Sequence, residues 1–160
     1  MKGITHVVFS LGLGLFLASQ LRFFSLLDIA VVAWLALSVN VVIDVFGHGL
    51  GYGKNAGQRS FVTHSVFTAP VWGGVVAGLS LYILIRYATE PLGWLETLFL
   101  FATGLMMAYS HLFLDALTEG GVYWGRRRVA LAHMRYNNLV LNAAFLAIGA
   151  LFVVASALPL

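Results

Sequence analysis

Residues 94–117 read WLETLFLFATGLMMAYSHLFLDAL, and this stretch decides the fold. A helix crosses the ~30 Å hydrocarbon layer of a bilayer in about 20 apolar residues. Here the charged side chains are Glu96 near the start and Asp115 near the end. Four other stretches share that character: Val7–Phe24, Leu27–Phe46, Ser65–Tyr87 and Leu139–Ala157. Of the 160 residues, 61% are hydrophobic and 9% are charged, with a mean hydropathy of +0.93. Apolar residues collected in this way do not describe a soluble core. They predict an all-α, polytopic integral membrane helix bundle of about five transmembrane helices, forming a single transmembrane domain over residues 1–160.

The breaks between spans have their own residues. Gly51, Gly53 and Gly57 interrupt the chain between the second and third spans, and Thr89, Glu90, Pro91 and Gly93 between the third and fourth. Ala18-Ser19-Gln20 loosely resembles a signal-peptide cleavage site, but four further spanning stretches follow it. No repeat, low-complexity segment or linker marks a second domain. The chain has no cysteine. Disulfides and thiolate metal sites are therefore excluded, and any metal must be held by imidazole and oxygen.

Five spans put the two chain ends on opposite faces. Lys2, Lys54, Arg59, Arg126, Arg127, Arg128 and Arg135 fall on the N-terminal face, against Arg22 and Arg86 on the other. The excess of Lys and Arg predicts a cell-membrane protein with a cytoplasmic N-terminus and an external C-terminus. All five histidines lie at or close to that same face. An ionisable group at membrane depth costs at least ~2.5–3.5 kcal/mol on insertion scales, so such groups usually have a partner and a function.

Two pairs repeat one spacing. His111 and Asp115 are four residues apart, as are Asp44 and His48, which puts each pair on one helix face about one turn apart. Such a pair can bind one cation, or the carboxylate can orient the imidazole. A single pair could also be a plain hydrogen bond inside the bundle. His6 opens the first span and His64 the third, the latter flanked by Thr63 and Ser65 as cap or hydrogen-bond partners. The candidate metal ligands are therefore His6, Asp44, His48, His64, His111 and Asp115.

Around them stand residues suited to catalysis. Arg59 carries a planar guanidinium fit for a substrate phosphate. Asp44 or Glu119 is the candidate general base, Glu119 falling one turn beyond Asp115 if the helix continues. His133 and the triplet Arg126, Arg127 and Arg128 are possible additional site residues. The triplet also suits anionic lipid head groups. Trp94, Tyr123, Trp124 and Tyr136 suit the membrane interface, and Gly12, Gly14, Gly73, Gly74 and Gly78 suit close helix packing.

The chain resembles the membrane-bound metal-dependent hydrolase family named after the YdjM inner-membrane protein. The matching pieces are Thr5-His6, Asp44 with His48, Arg59 with Thr63-His64-Ser65, and Ser110-His111 with Asp115, Thr118 and Gly121-Val122, spread over about residues 5–122. Their order is also similar to that of the zinc-dependent phospholipase C and P1 nuclease superfamily, helical phosphoesterases with zinc clusters. That similarity implies that His6, Asp44, His64, His111 and Asp115 contact the metal directly. Two departures reduce the implied cluster to one or two ions. His133 is followed four residues later by Asn137 where the superfamily has Glu, and the compact Asp-x-Asp-His is here Asp44-Val-Phe-Gly-His48.

The function expected from these residues is metal-dependent hydrolysis of a phosphoester at the cytoplasmic membrane surface, with a divalent metal, zinc by preference, as cofactor. The expected partners are membrane lipids and a small amphiphilic phosphoester; no nucleic acid is expected. The alternatives are a divalent metal or proton transporter, which would favour polar groups continuing across the bilayer, and a non-catalytic scaffold with a closed structural metal site.

Overall fold

A computed structural model describes residues 1–23, 25–49, 59–87 and 92–158, the side chain of His48 excepted. Lys54, Glu90, Gly51, Gly53, Gly57, Thr89 and Pro91 lie outside the described residues. Five long helices carry the fold: α1 (Gly3–Gln20), α2 (Leu26–Gly49), α4 (Ala69–Tyr87), α5 (Trp94–Ala116) and α6 (Leu139–Ser156). Each is long and apolar enough to cross a membrane. A four-residue helix, α3 (Phe61–His64), precedes α4, and a hairpin of β1 (Val122–Trp124) and β2 (Arg127–Val129) follows α5.

Local chemistry sets the helix starts. Ser25 and Asp28 form a reciprocal cap on α2: the Asp28 carboxylate accepts from the Ser25 amide at 2.9 Å, and the Ser25 hydroxyl accepts from the Asp28 amide at 3.1 Å. Glu96 accepts from the Gly93 amide at 2.6 Å on α5. Asn138 caps α6 by accepting from the Leu141 amide at 2.9 Å. The third span, expected from Ser65, starts at Ala69. Ser65 is extended instead and bridges Tyr123, and Pro70 takes the first turn of α4, where a missing N–H costs nothing.

The helices pack in two ways. Leu15, Val32, Leu35, Val39, Ile43, Met107 and Leu112 join a buried apolar core shared by α1, α2, α4 and α5. Two other contacts depend on glycine. Gly12 of α1 lies against the Gly149 backbone of α6, and Gly73 of α4 against the Gly104 backbone of α5. These are the close helix approaches that small residues allow. The outward faces remain apolar, with Val71, Leu79, Leu98, Val140, Leu151 and Val154 all exposed, as a hydrocarbon surround requires.

The buried ionisable residues are one-sided, whereas Ser80, Thr103 and Ser156 are buried hydroxyls elsewhere in the bundle. Thr5, His6, Ser10, Asn40, His64, Ser110, His111, Asp115 and Asn142 are buried, at the start of α1 and α6 and the end of α2 and α5. Asn142 ties this end together by accepting from the Lys2 amide at 3.1 Å and the Thr5 hydroxyl at 2.7 Å.

Gly12→Val should lower the melting temperature in detergent, because a new Cβ would overlap the Gly149 backbone; overpacking of this kind costs about 1–3 kcal/mol. Gly74→Ala, whose Cβ would reach only Leu105 at 4.0 Å, should leave the melting temperature within a degree or two (roughly) of the parent.

Candidate metal centre

Asp115 occupies the last turn of α5 with 1% of its side chain exposed. Its two carboxylate oxygens have different surroundings. Oδ1 accepts from Arg59 Nη2 at 2.6 Å, lies 2.8 Å from the Met1 nitrogen and 3.1 Å from His6 Nε2. Oδ2 lies 3.3 Å from both His64 Nε2 and His111 Nε2. Asp44, one-third exposed, approaches from α2 with Oδ1 3.5 Å from His111 Nε2. The His6 and His111 rings stack with centroids 4.0 Å apart.

The protonation of His111 follows from its neighbour. Asn40 donates through Nδ2 to the Ala36 carbonyl at 2.6 Å and to Ser10 Oγ at 3.2 Å. That fixes the amide so that Asn40 Oδ1 faces His111 Nδ1 at 2.9 Å. A carbonyl oxygen only accepts, so Nδ1 carries the proton. In the neutral ring Nε2 is then a lone pair, aimed at two carboxylates. Among the described residues His111 Nε2, His6 Nδ1 and Asp115 Oδ2 are buried without a hydrogen bond, and leaving such a group unpaired costs about 1–3 kcal/mol.

Two sets of donor atoms have the spacing to hold a cation: His6, His111 and Asp115, and Asp44, His64 and His111, each within 4.8 Å. Ligands about 2.0–2.1 Å from a tetrahedral ion stand about 3.3–3.4 Å from one another. The separations of 3.3, 3.3 and 3.5 Å around His111 Nε2 and Asp115 Oδ2 match that edge. Burial pushes the His64 imidazole below its ordinary pKa, with Asp115 pulling the other way, and a neutral ring is the form that binds metal.

His64 reaches the site because α3 docks on α2. The Ser60 amide donates to the Gly47 carbonyl at 3.1 Å, and a Cβ on Gly47 would strike the His64 ring and the Thr63 hydroxyl. Thr63 Oγ1 lies 2.8 Å from His64 Nδ1 and holds that ring in turn.

The structure thus brings together His6, Asp44, His64, His111 and Asp115, with Arg59 behind them. His48 continues α2 beyond Asp44, and its side chain is outside the described residues. Arg59 does not take the place expected of a phosphate hook. Its buried guanidinium donates to Asp115 Oδ1, to the Gly121 carbonyl at 2.8 Å, to Thr118 Oγ1 at 3.1 Å and to the Asp115 carbonyl at 3.3 Å. It positions Asp115.

Glu119 is exposed, not beside Asp115: α5 stops at Ala116, so helical spacing no longer applies, and the Glu119 amide donates to the Met134 carbonyl. His133 is exposed with a φ of 51°. Arg126, Arg127 and Arg128 are exposed on the hairpin. Neither His133 nor the arginines join the donor sets. The residues not expected from sequence are Gly47 and the polar partners Ser10, Asn40 and Asn142; Ser110 entered only as a piece of the family resemblance.

Residues 1–114 match the model of a family described as Protein of unknown function (DUF1286). The chain belongs to that family. The DUF1286 match includes His6, Asp44, His64 and His111 and stops one residue before Asp115. No curated protein and no solved structure matches the chain.

Asn40→Ala should weaken binding of a divalent metal about 10- to 100-fold, the usual cost of removing a group that orients a ligand. Asn40→Asp, which can still accept from Nδ1, should recover most of it. Metal titration of the two variants, with helicity by circular dichroism as the control, checks both.

Proposed function

We propose that this protein is a membrane-embedded, metal-dependent hydrolase that cleaves an amphiphilic phosphoester at the cytoplasmic membrane surface, as the resemblance to the YdjM-named family implies. One observation carries the reading: the His111 Nε2 lone pair meets the Asp44 and Asp115 carboxylates in a buried site, an arrangement that a bound cation stabilises. His6, His64, His111 and Asp115 are the ligands, for one or two ions. A divalent ion bound by imidazole and carboxylate, zinc above all, lowers the pKa of water towards ~7 and polarises a phosphoryl oxygen.

The chain's own residues supply the rest. Arg59 and Asn40 hold Asp115 and His111 in orientation. Asp44 is the partly exposed carboxylate at the rim and accepts the proton of the attacking water. With Glu119 and Arg59 assigned elsewhere by their contacts, Asp44 is the general base we favour. Among the described residues the same end of the bundle carries Lys2, Arg59, Arg126, Arg127, Arg128 and Arg135, which favours a cytoplasmic site. That depth suits a substrate with its phosphate at the head-group level and its tail in the bilayer.

Transport through the same residues is less well supported. Beyond Ser10, Asn40 and Ser110, the buried polar side chains are the hydroxyls of Thr103, Ser80 and Ser156, none of them ionisable, set among Val32, Leu35, Leu100 and Met107, whereas a transit path favours metal- or proton-binding groups to the far face. A closed structural metal is also less well supported, because Asp44 makes a fifth donor beside His6, His64, His111 and Asp115, one more than such a site uses.

Detergent-purified protein should contain stoichiometric divalent metal, and a phosphoester panel should yield hydrolysis that a chelator abolishes. His111→Ala and Asp115→Ala should both lose the metal. Asp44→Asn should slow turnover about 10²- to 10⁴-fold, the span of a lost general base. Absence of metal from the purified protein, or metal uptake into proteoliposomes with no phosphoester cleaved, would overturn the reading.

A further inference from the structure

A groove of about 430 Å³ runs between α5 and the β-hairpin, lined by Tyr109, Phe113, Ala116, Val122, Trp124 and Val129 and almost wholly apolar. It is separate from the metal centre. At 3.6 residues per turn, Tyr109, Phe113 and Ala116 face about 145° away from His111 and Asp115 around the α5 axis. Two observations say what fits it.

The first is depth. Tyr109 to Ala116 covers about 10 Å of helix rise within the span, whereas the hairpin lies past the end of that span. The groove therefore runs along the last two turns of an apolar span, at the end where the hairpin follows it. The second is charge. In the hairpin Val122 pairs with Val129, Tyr123 with Arg128, and Trp124 with Arg127. Directly paired residues share a sheet face. Arg127 therefore stands on the groove face with Val122, Trp124 and Val129, and Arg128 on the opposite face with Tyr123. Gly125, with a φ of 59°, makes the tight turn that sets Arg126 beside Arg127. The three arginines are exposed, and none forms an ion pair among the described residues.

We infer that this groove binds one anionic phospholipid, its acyl chain along Phe113, Ala116 and Val129 and its phosphate on Arg127 and Arg126. The site is independent of the hydrolase reading, since it shares no residue with the metal centre.

Native mass spectrometry of the full chain, titrated in detergent with phosphatidylglycerol or phosphatidylcholine, tests this. Phosphatidylglycerol should bind about five- to thirty-fold more tightly, the range that one or two arginine–head-group contacts supply. The double variant Arg126→Gln, Arg127→Gln should bring the two lipids to parity with metal content unchanged. Ala116→Leu, which fills the groove, should weaken both lipids; if it fails to fold, the exposed arginine pair still decides. Equal binding of the two lipids by the parent protein, or a preference that survives the double variant, would overturn the inference. So would displacement of the lipid by inorganic phosphate alone, which would make the arginines a simple anion site.

Discussion

A carboxylate in an apolar bundle is tolerable only when positive charge and hydrogen-bond donors reach it, and Asp115 collects both from across the sequence. Arg59 and the Met1 nitrogen donate to one oxygen, with His6 beside them, while the other faces the His64 and His111 nitrogens, where a bound cation would supply the charge. Burying an ion alone costs several kcal/mol even after relaxation. The tips of α1 and α5, the short helix α3 and the segment ahead of it are therefore bound to one point. Arg59 also holds the Gly121 carbonyl, so the hairpin is fixed to the same carboxylate.

This arrangement explains why the buried ionisable residues occupy one end of the bundle. Asn40, Ser10 and Ser110 continue inward from His111 as a short hydrogen-bonded chain, with Ser10 and Ser110 2.6 Å apart. Beyond them the interior is packed with apolar side chains, and glycine contacts bring α1 to α6 and α4 to α5. Membrane helices gain little from apolar burial against each other, since lipid is equally apolar. Close backbone contact and a shared polar anchor do that part instead.

Much of this was legible in the sequence, for definable reasons. Span length and hydropathy gave the five helices to within a few residues, and the i,i+4 spacing of His111 and Asp115 survived folding because both lie inside α5. Glu119 was misplaced because the same spacing was carried past Ala116, where the helix ends. Arg59 was read as a phosphate hook because a guanidinium suits phosphate and buried carboxylate alike, and only the fold says which one is near. The hairpin went unread, since three-residue strands leave no periodicity. Asn40, Ser10, Ser110 and Asn142 become informative only when their partners arrive from other helices. Gly47 carried no signal in the sequence, and its lack of a side chain makes room for His64.

The central claim is that α1, α2, α3 and α5 share a cation at His111. X-ray absorption at the metal edge of the zinc-loaded protein tests it most directly. A nitrogen and oxygen shell at about 2.0–2.1 Å, with the outer scattering of two or three imidazoles, is the expected spectrum, and His111→Ala, which loses the metal, should abolish it. A shell of oxygen alone, or a spectrum unchanged in that variant, would contradict it.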